Sequence, residues 1–168
     1  MNLIVAVSRD WGIGYKNKLM FRIAEDQRYF KLTTIGKIVV MGHNTFKSLP
    51  GMKPLVDRTN IVLSRDENLK IPGVTVVNSI EACLALLAQS PPEDVYIIGG
   101  STIYQAFLPH CTTALVTKID AVRSSDSFFP NLDQNPHWKL AKESEVKEEK
   151  GVEYKFCLYE KRPSVSGY

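Results

Sequence analysis

The sequence predicts one α/β domain wound through right-handed crossovers, and three observations carry that prediction. The chain has 168 residues, 44% hydrophobic and 23% charged, which is enough for a sizeable core in a single domain and too apolar for disorder. Short β-branched runs recur along it, several apolar on both faces as buried parallel strands are. Stretches with helical spacing lie between them, so strand and helix alternate.

In chain order, strands are expected at 3–7, 37–41, 59–63, 74–77, 95–98 and 114–119, and helices at 24–34, 44–49, 79–89 and 102–108. The clearest helix is 79–89, where Ile80, Cys83, Leu84 and Leu87 fall at i, i+3, i+4 and i+7. Asn78 and Glu81 are placed to cap its start, and Ser90-Pro91-Pro92 stops it. Pro109 ends the helix at 102–108. After Pro130 the pattern changes to polar-apolar alternation over 137–145 and 152–160, which reads as a terminal antiparallel hairpin. The charged run Lys147-Glu148-Glu149-Lys150-Gly151 between them is expected to be a solvated turn, with partner binding as the alternative. The domain is expected to span 1–162, followed by a frayed tail at 163–168.

Composition excludes several function classes. Lys plus Arg number 21 against 18 Asp plus Glu, a net charge of +3. That balance is too mild for nucleic-acid binding and suits a small anionic ligand. The longest apolar runs, 3–7 and 38–41, are far below the roughly 18 residues of a membrane span. The N-terminus enters a strand pattern at once, so the mature chain is expected to start at Met1 without a signal peptide. Cys83, Cys111 and Cys157 lie far apart with no CxxC spacing, which suggests neither disulfide framework nor zinc site and fits a reducing cytoplasm. His43, His110 and His137 have no metal-ligand spacing, so no metal is expected.

Three features could carry chemistry. On a helix at about 100° per residue, Asp26 falls about 40° from Phe30 and 60° from Ile23, on the side expected to be buried. A carboxyl there loses hydration, its pKa should rise unless a cation or several donors meet it, and it would suit a protonated heterocycle; a boundary residue bonded to a neighbouring backbone group or hydroxyl is the plainer alternative. Two strand-to-helix junctions, Val39-Val40-Met41-Gly42-His43-Asn44-Thr45 and Tyr96-Ile97-Ile98-Gly99-Gly100-Ser101-Thr102, could each aim free N–H groups at a phosphate, or could merely turn the chain. Neither matches an ordinary dinucleotide or P-loop fingerprint. Arg58 and Arg65 flank the strand at 59–63, where they could meet a carboxylate and a phosphate, or remain solvated charges.

Taken in order, these segments resemble the dihydrofolate reductase family over nearly the whole chain. The matching blocks are Val5-Ala6-Val7-Ser8 leading to Gly12-Ile13-Gly14, Glu25-Asp26 with Phe30, Met41 to Phe46, Arg58 to Arg65, Ile98 to Tyr104, and Thr117-Lys118-Ile119-Asp120. The resemblance implies an eight-stranded, mostly parallel sheet with an antiparallel C-terminal strand and about four helices. It implies reduction of 7,8-dihydrofolate to tetrahydrofolate by a monomer using NADPH, since no protein side chain donates a hydride. Asp26 becomes the pterin-site acid with Thr117 bonded behind it. Val5, Ala6, Phe30, Leu49, Leu55 and Ile98 line the substrate pocket, Arg58 grips the glutamate α-carboxylate, and Tyr104 borders the nicotinamide. Ala6, Ile13, Gly42, His43, Asn44, Thr45, Leu63, Ser64, Arg65, Gly99, Gly100, Ser101, Thr102 and Ile103 are implied for the cofactor, with Arg65 on its 2′-phosphate. The Gly99-Gly100 peptide is expected to be cis.

Two departures stand out. His43 and Asn44 replace basic side chains that help select the 2′-phosphate in the family. Met20-Phe21 replaces the usual Pro-Trp pair of the mobile active-site loop, keeping an aromatic wall at Phe21 and losing an indole N–H. The rival readings are a related pteridine or pyrimidine reductase, which Asp26 and Arg58 disfavour, and a catalytically silent ligand-binding module.

Overall fold

The structure is a computed structural model and describes residues 1–16, 18–19 and 21–163. The expected central strands form as β1 (Asn2–Val7), β4 (Ile38–Gly42), β5 (Thr59–Leu63), β6 (Val74–Val77), β7 (Val95–Gly99) and β8 (Thr113–Ile119). The helices are α1 (Ala24–Thr34), α2 (His43–Ser48), α3 (Ile80–Leu87) and α4 (Ser101–Phe107). Two short strands, β2 (Gly12–Tyr15) and β3 (Lys18–Leu19), join β9 (Ser127–Phe128) in a separate three-stranded sheet ordered β3-β2-β9. The C-terminal strands are β10 (Trp138–Glu143), β11 (Lys147–Glu149) and β12 (Val152–Lys161).

The main sheet runs β10-β12-β8-β1-β7-β4-β5-β6, with β11 also paired to β12. All pairs from β8 to β6 are parallel, and β12 runs antiparallel to β8 and β10. The chain leaves β1 for β4 on one side, returns to insert β7 between them, then places β8 on the other side of β1. That reversal opens a crevice at the C-terminal ends of the parallel strands, where α/β sheets receive ligands. One face packs Leu3, Val7, Val40, Ile97, Val116 and Phe107 into the larger core. Val39, Met41, Phe46 and Val62 form a second core on the other face. Their aliphatic side chains leave water on both faces, so the strand sequences read as unbroken apolar runs.

Three expectations need correction. Among the described residues the main sheet adds a ninth strand to the expected eight, because 147–149 is a strand rather than part of a turn: Lys147, Glu148 and Glu149 pair with Tyr154, Glu153 and Val152. Only Lys150 and Gly151 turn, with φ of 50° and 80°. Charged residues on a hairpin ladder look like loop composition, which hid it. Gly12–Tyr15, absent from the expected strands, is likewise paired. Asn78 does not cap α3; Ser79 does, its hydroxyl accepting from the Ala82 N–H at 3.0 Å. Most of the tail assigned to 163–168 lies outside the described residues.

Candidate active site

The two glycine junctions converge because β4 and β7 are adjacent and parallel. A Cβ added at Gly42 would lie 3.1 Å from Ile103 Cγ1 on α4, and one at Gly100 would lie 3.5 Å from Thr45 Oγ1 on α2. The junctions thus touch each other, and the Gly99–Gly100 peptide between them is cis. Gly99 has φ of 124°, a conformation that L side chains rarely adopt. Tyr104 packs behind it; its ring is buried and its hydroxyl donates to the Ile4 carbonyl at 2.7 Å.

A cleft of about 900 Å³ opens over these junctions. Gly42, His43, Asn44 and Thr45 line one side, Gly100, Ser101, Thr102 and Ile103 another, and Leu63, Ser64 and Arg65 a third. Ala6, Ile13 and Gly99 are not on its lining; Ile13 packs against the larger core. Sequence reasoning missed Asn78 and Ser79 at the end of β6 and Asp126 and Ser127 near β9. The first pair had a signal, a third strand-to-helix junction at the same sheet edge. The second had none, since only the fold brings the segment after β8 to β2: Asp126 N–H donates to the Gly14 carbonyl, and its carboxylate accepts from the Lys16 N–H at 2.9 Å.

Asn78 orders the arginine side of the cleft. Its Nδ2 donates to the Ser64 carbonyl at 2.8 Å and the Asp66 carbonyl at 3.2 Å, bracketing Arg65 between two anchored peptides.

Asp26 sits in the first turn of α1, toward β8. Thr117 lies opposite Ala6 in the β1–β8 ladder, and its buried hydroxyl donates to Asp26 Oδ1 at 2.6 Å. Burial raises the Asp26 pKa above the ordinary aspartate value, and the Thr117 hydrogen bond opposes that rise. Ala6 and Phe21 pack with Ile23, Ile119 and Tyr154, while Leu49, Leu55 and Ile98 pack on the second core. Phe30 and Ala6 are half-buried, and the Val5 side chain points into the larger core. The carboxyl is thus part-buried, and among the described residues Thr117 is the side chain that hydrogen-bonds it.

Arg58 is oriented by its own surroundings: Nε donates to the Val56 carbonyl at 2.9 Å and Nη1 to Thr34 Oγ1 at 3.2 Å. Burial lowers its pKa and the nearby Asp57 opposes this, so the guanidinium is partly desolvated. The Arg123 guanidinium carbon lies 4.4 Å from the Phe21 ring centroid, joining that aromatic to the segment after β8. Met20 lies outside the described residues.

Comparison with known proteins shows the same pattern at full length. A family profile described as dihydrofolate reductase matches residues 1–161. The chain is 39% identical over 160 residues to a dihydrofolate reductase of Neisseria gonorrhoeae, covering 95% of this chain and 96% of that protein. It is 34% identical over 166 residues to that of Bacillus subtilis, at 98% and 96% coverage. It is 37% identical over 183 aligned positions to that of Rattus norvegicus, at 96% and 97% coverage.

Proposed function

Because the chain belongs to the dihydrofolate reductase family and is an oxidoreductase, we propose that it converts 7,8-dihydrofolate to 5,6,7,8-tetrahydrofolate using NADPH, with protonation at N5 and hydride delivery to C6. The observation that carries the reading is Asp26, a part-buried carboxyl bonded to Thr117 beside the β1 strand.

The residues present suit the cofactor. An added Cβ at Gly42 would press on Ile103 where the junctions meet, and the cleft walls offer N–H and hydroxyl donors rather than apolar surface alone. Gly42 to Thr45 and Gly100 to Thr102 would hold its phosphates, with Leu63 and Ile103 against its rings. Arg65, with Ser64 and His43 alongside, would meet the 2′-phosphate as a point of positive charge. When bound, NADPH supplies the hydride.

The chain's own groups do the rest. Asp26 holds the 2-amino and N3 edge of the pterin, a donor pair matched to two carboxylate oxygens. Its negative charge, poorly screened in its apolar setting, polarises the ring and raises the proton affinity of N5. Its contacts are on the far side of the ring from N5, so a water delivers the proton. Phe30, Leu49, Leu55 and Ile98 confine the bicyclic ring and benzoyl group, and the Val5 and Ile98 backbone borders the reacting faces. Arg58 holds the glutamate α-carboxylate in a bidentate fork, its side chain already oriented by Val56 and Thr34. Phe21, packed with Ala6 against Ile23, Ile119 and Tyr154, would keep bulk water from the pterin side of the site.

The test is direct. Purified protein mixed with dihydrofolate and NADPH should show falling NADPH absorbance that an antifolate stops. Folate-dependent thermal stabilisation without NADPH consumption would instead identify a silent binding module.

A further inference from the structure

The charged segment that sequence composition assigns to solvent touches the helix that carries Asp26. Helix α1 begins without a local cap: Ile23 is its N-cap residue, and no side chain there accepts a hydrogen bond. The acceptor comes from Glu149. Both of its carboxylate oxygens accept from the Ala24 N–H, at 3.1 and 2.9 Å. The same hairpin grips the same turn twice more. Tyr154 Oη donates to Glu25 Oε2 at 2.5 Å, and Lys147 Nζ lies 3.5 Å from Glu25 Oε1. Asp26 is the next residue along.

The other partner of Asp26 is held by the same strands. Phe156 on β12 pairs with Thr117 on β8. The β11–β12 hairpin therefore clamps α1 through Glu149 and Tyr154 while its ladder fixes β8, and the Asp26–Thr117 distance is set between those two attachments. A helix start has four unsatisfied N–H groups, and without an acceptor its first turn frays. Nothing within the helix replaces the acceptor that Glu149 supplies.

We infer that Glu149 is a positioning residue for Asp26: a cap brought from a distant hairpin that keeps the first turn of α1 formed and the Asp26 carboxyl beside Thr117. The inference rests on the functional reading above, which gives Asp26 its task. No residue of 147–154, Glu149 included, lines the cleft assigned to the cofactor.

The experiment compares Glu149→Ala and Glu149→Gln with wild type, measuring kcat/KM for dihydrofolate, the Kd for NADPH, and hydrogen exchange of the α1 first-turn amides. The alanine variant should lose roughly fivefold or more in kcat/KM for dihydrofolate, as expected for a lost cap, with NADPH affinity changed less than twofold. Its first-turn amides should exchange faster while those of β8 do not. Glutamine retains one oxygen acceptor and should recover most of the loss. If the alanine variant does not fold, the glutamine variant is judged alone, by a smaller loss confined to dihydrofolate. An unchanged kcat/KM for dihydrofolate, or equal losses for both ligands, overturns the assignment while leaving the functional reading intact. A wild-type protein that consumes no NADPH with dihydrofolate overturns both.

Discussion

Thr117 and Asp26, 91 residues apart in sequence, meet in a 2.6 Å hydrogen bond in which the threonine hydroxyl donates to the carboxyl. The bond partly replaces the water that Asp26 loses on burial, and it fixes which way the acid faces. Replacing Thr117 by Val keeps the shape and removes the donor. The Asp26 pKa, already raised by burial, should rise further. The acid limb of the pH profile of kcat/KM for dihydrofolate should then move to higher pH. A profile that merely scales down without moving would contradict the role given to this bond.

Asp26→Asn separates function from stability. Burial lifts the folded-state pKa above the unfolded value of about 3.9, so folding favours the neutral carboxyl. That stabilising contribution is complete below the unfolded pKa and is lost as pH rises through the folded one. At neutral pH the buried charge costs stability, and asparagine removes that cost while still accepting from Thr117. The variant should melt above wild type at pH 7, with the gap closing toward acidic pH. It should lose most dihydrofolate turnover and retain NADPH binding. Melting curves at two pH values and a cofactor titration check all three outcomes.

Cofactor choice should follow Arg65. Among the described residues lining the cleft it is the one arginine or lysine, and a 2′-phosphate is the group that distinguishes NADPH from NADH. Arg65→Ala should lower the ratio of kcat/KM for NADPH to that for NADH by roughly tenfold, about 1.4 kcal/mol, and flatten its dependence on salt. Asn78→Ala should lower the ratio less, because it frees the peptides on either side of Arg65 without removing the charge. A ratio insensitive to Arg65 would place the selectivity elsewhere.

Gly12 is required by its neighbour. A Cβ there would lie 2.0 Å from Ser125 Oγ, 2.8 Å from Ser125 Cβ and 2.9 Å from Ser8 Oγ. Gly12→Ala should destabilise the protein by about 1–3 kcal/mol, the usual cost of overpacking, and Ser125→Gly in the same chain should restore part of it, the Ser8 contact remaining. Denaturant unfolding of the two single variants and the double variant measures the coupling; additive effects would rule out the contact as the cause.

The parts of the fold that were legible in the sequence are those where burial imposes one pattern. The strands 59–63 and 74–77 and the helix Ala24–Thr34 stand where their apolar runs and spacing place them. The resemblance supplied the cis Gly99–Gly100 peptide and the Thr117 partner of Asp26, both of which the structure contains. Hairpin β11–β12 was not legible, since Lys147, Glu148 and Glu149 are as polar on an exposed ladder as in a loop. The capping role of Asn78 failed for a related reason. Two adjacent polar residues could each cap α3, and the choice depended on Asn78 finding the carbonyls of Ser64 and Asp66 instead.

The sequence by itself determined the parallel strands, the helix faces and the placing of Asp26 on the side of α1 turned inward, because hydrophobic burial and helical period act along the local chain. Only the tertiary structure decided what surrounds that acid. The Ala24 N–H meets a carboxylate from 125 residues away, and Asp26 meets a hydroxyl from another strand. Such contacts form between groups whose separation in the chain carries no periodic signal, so they exist only once the sheet has brought them together.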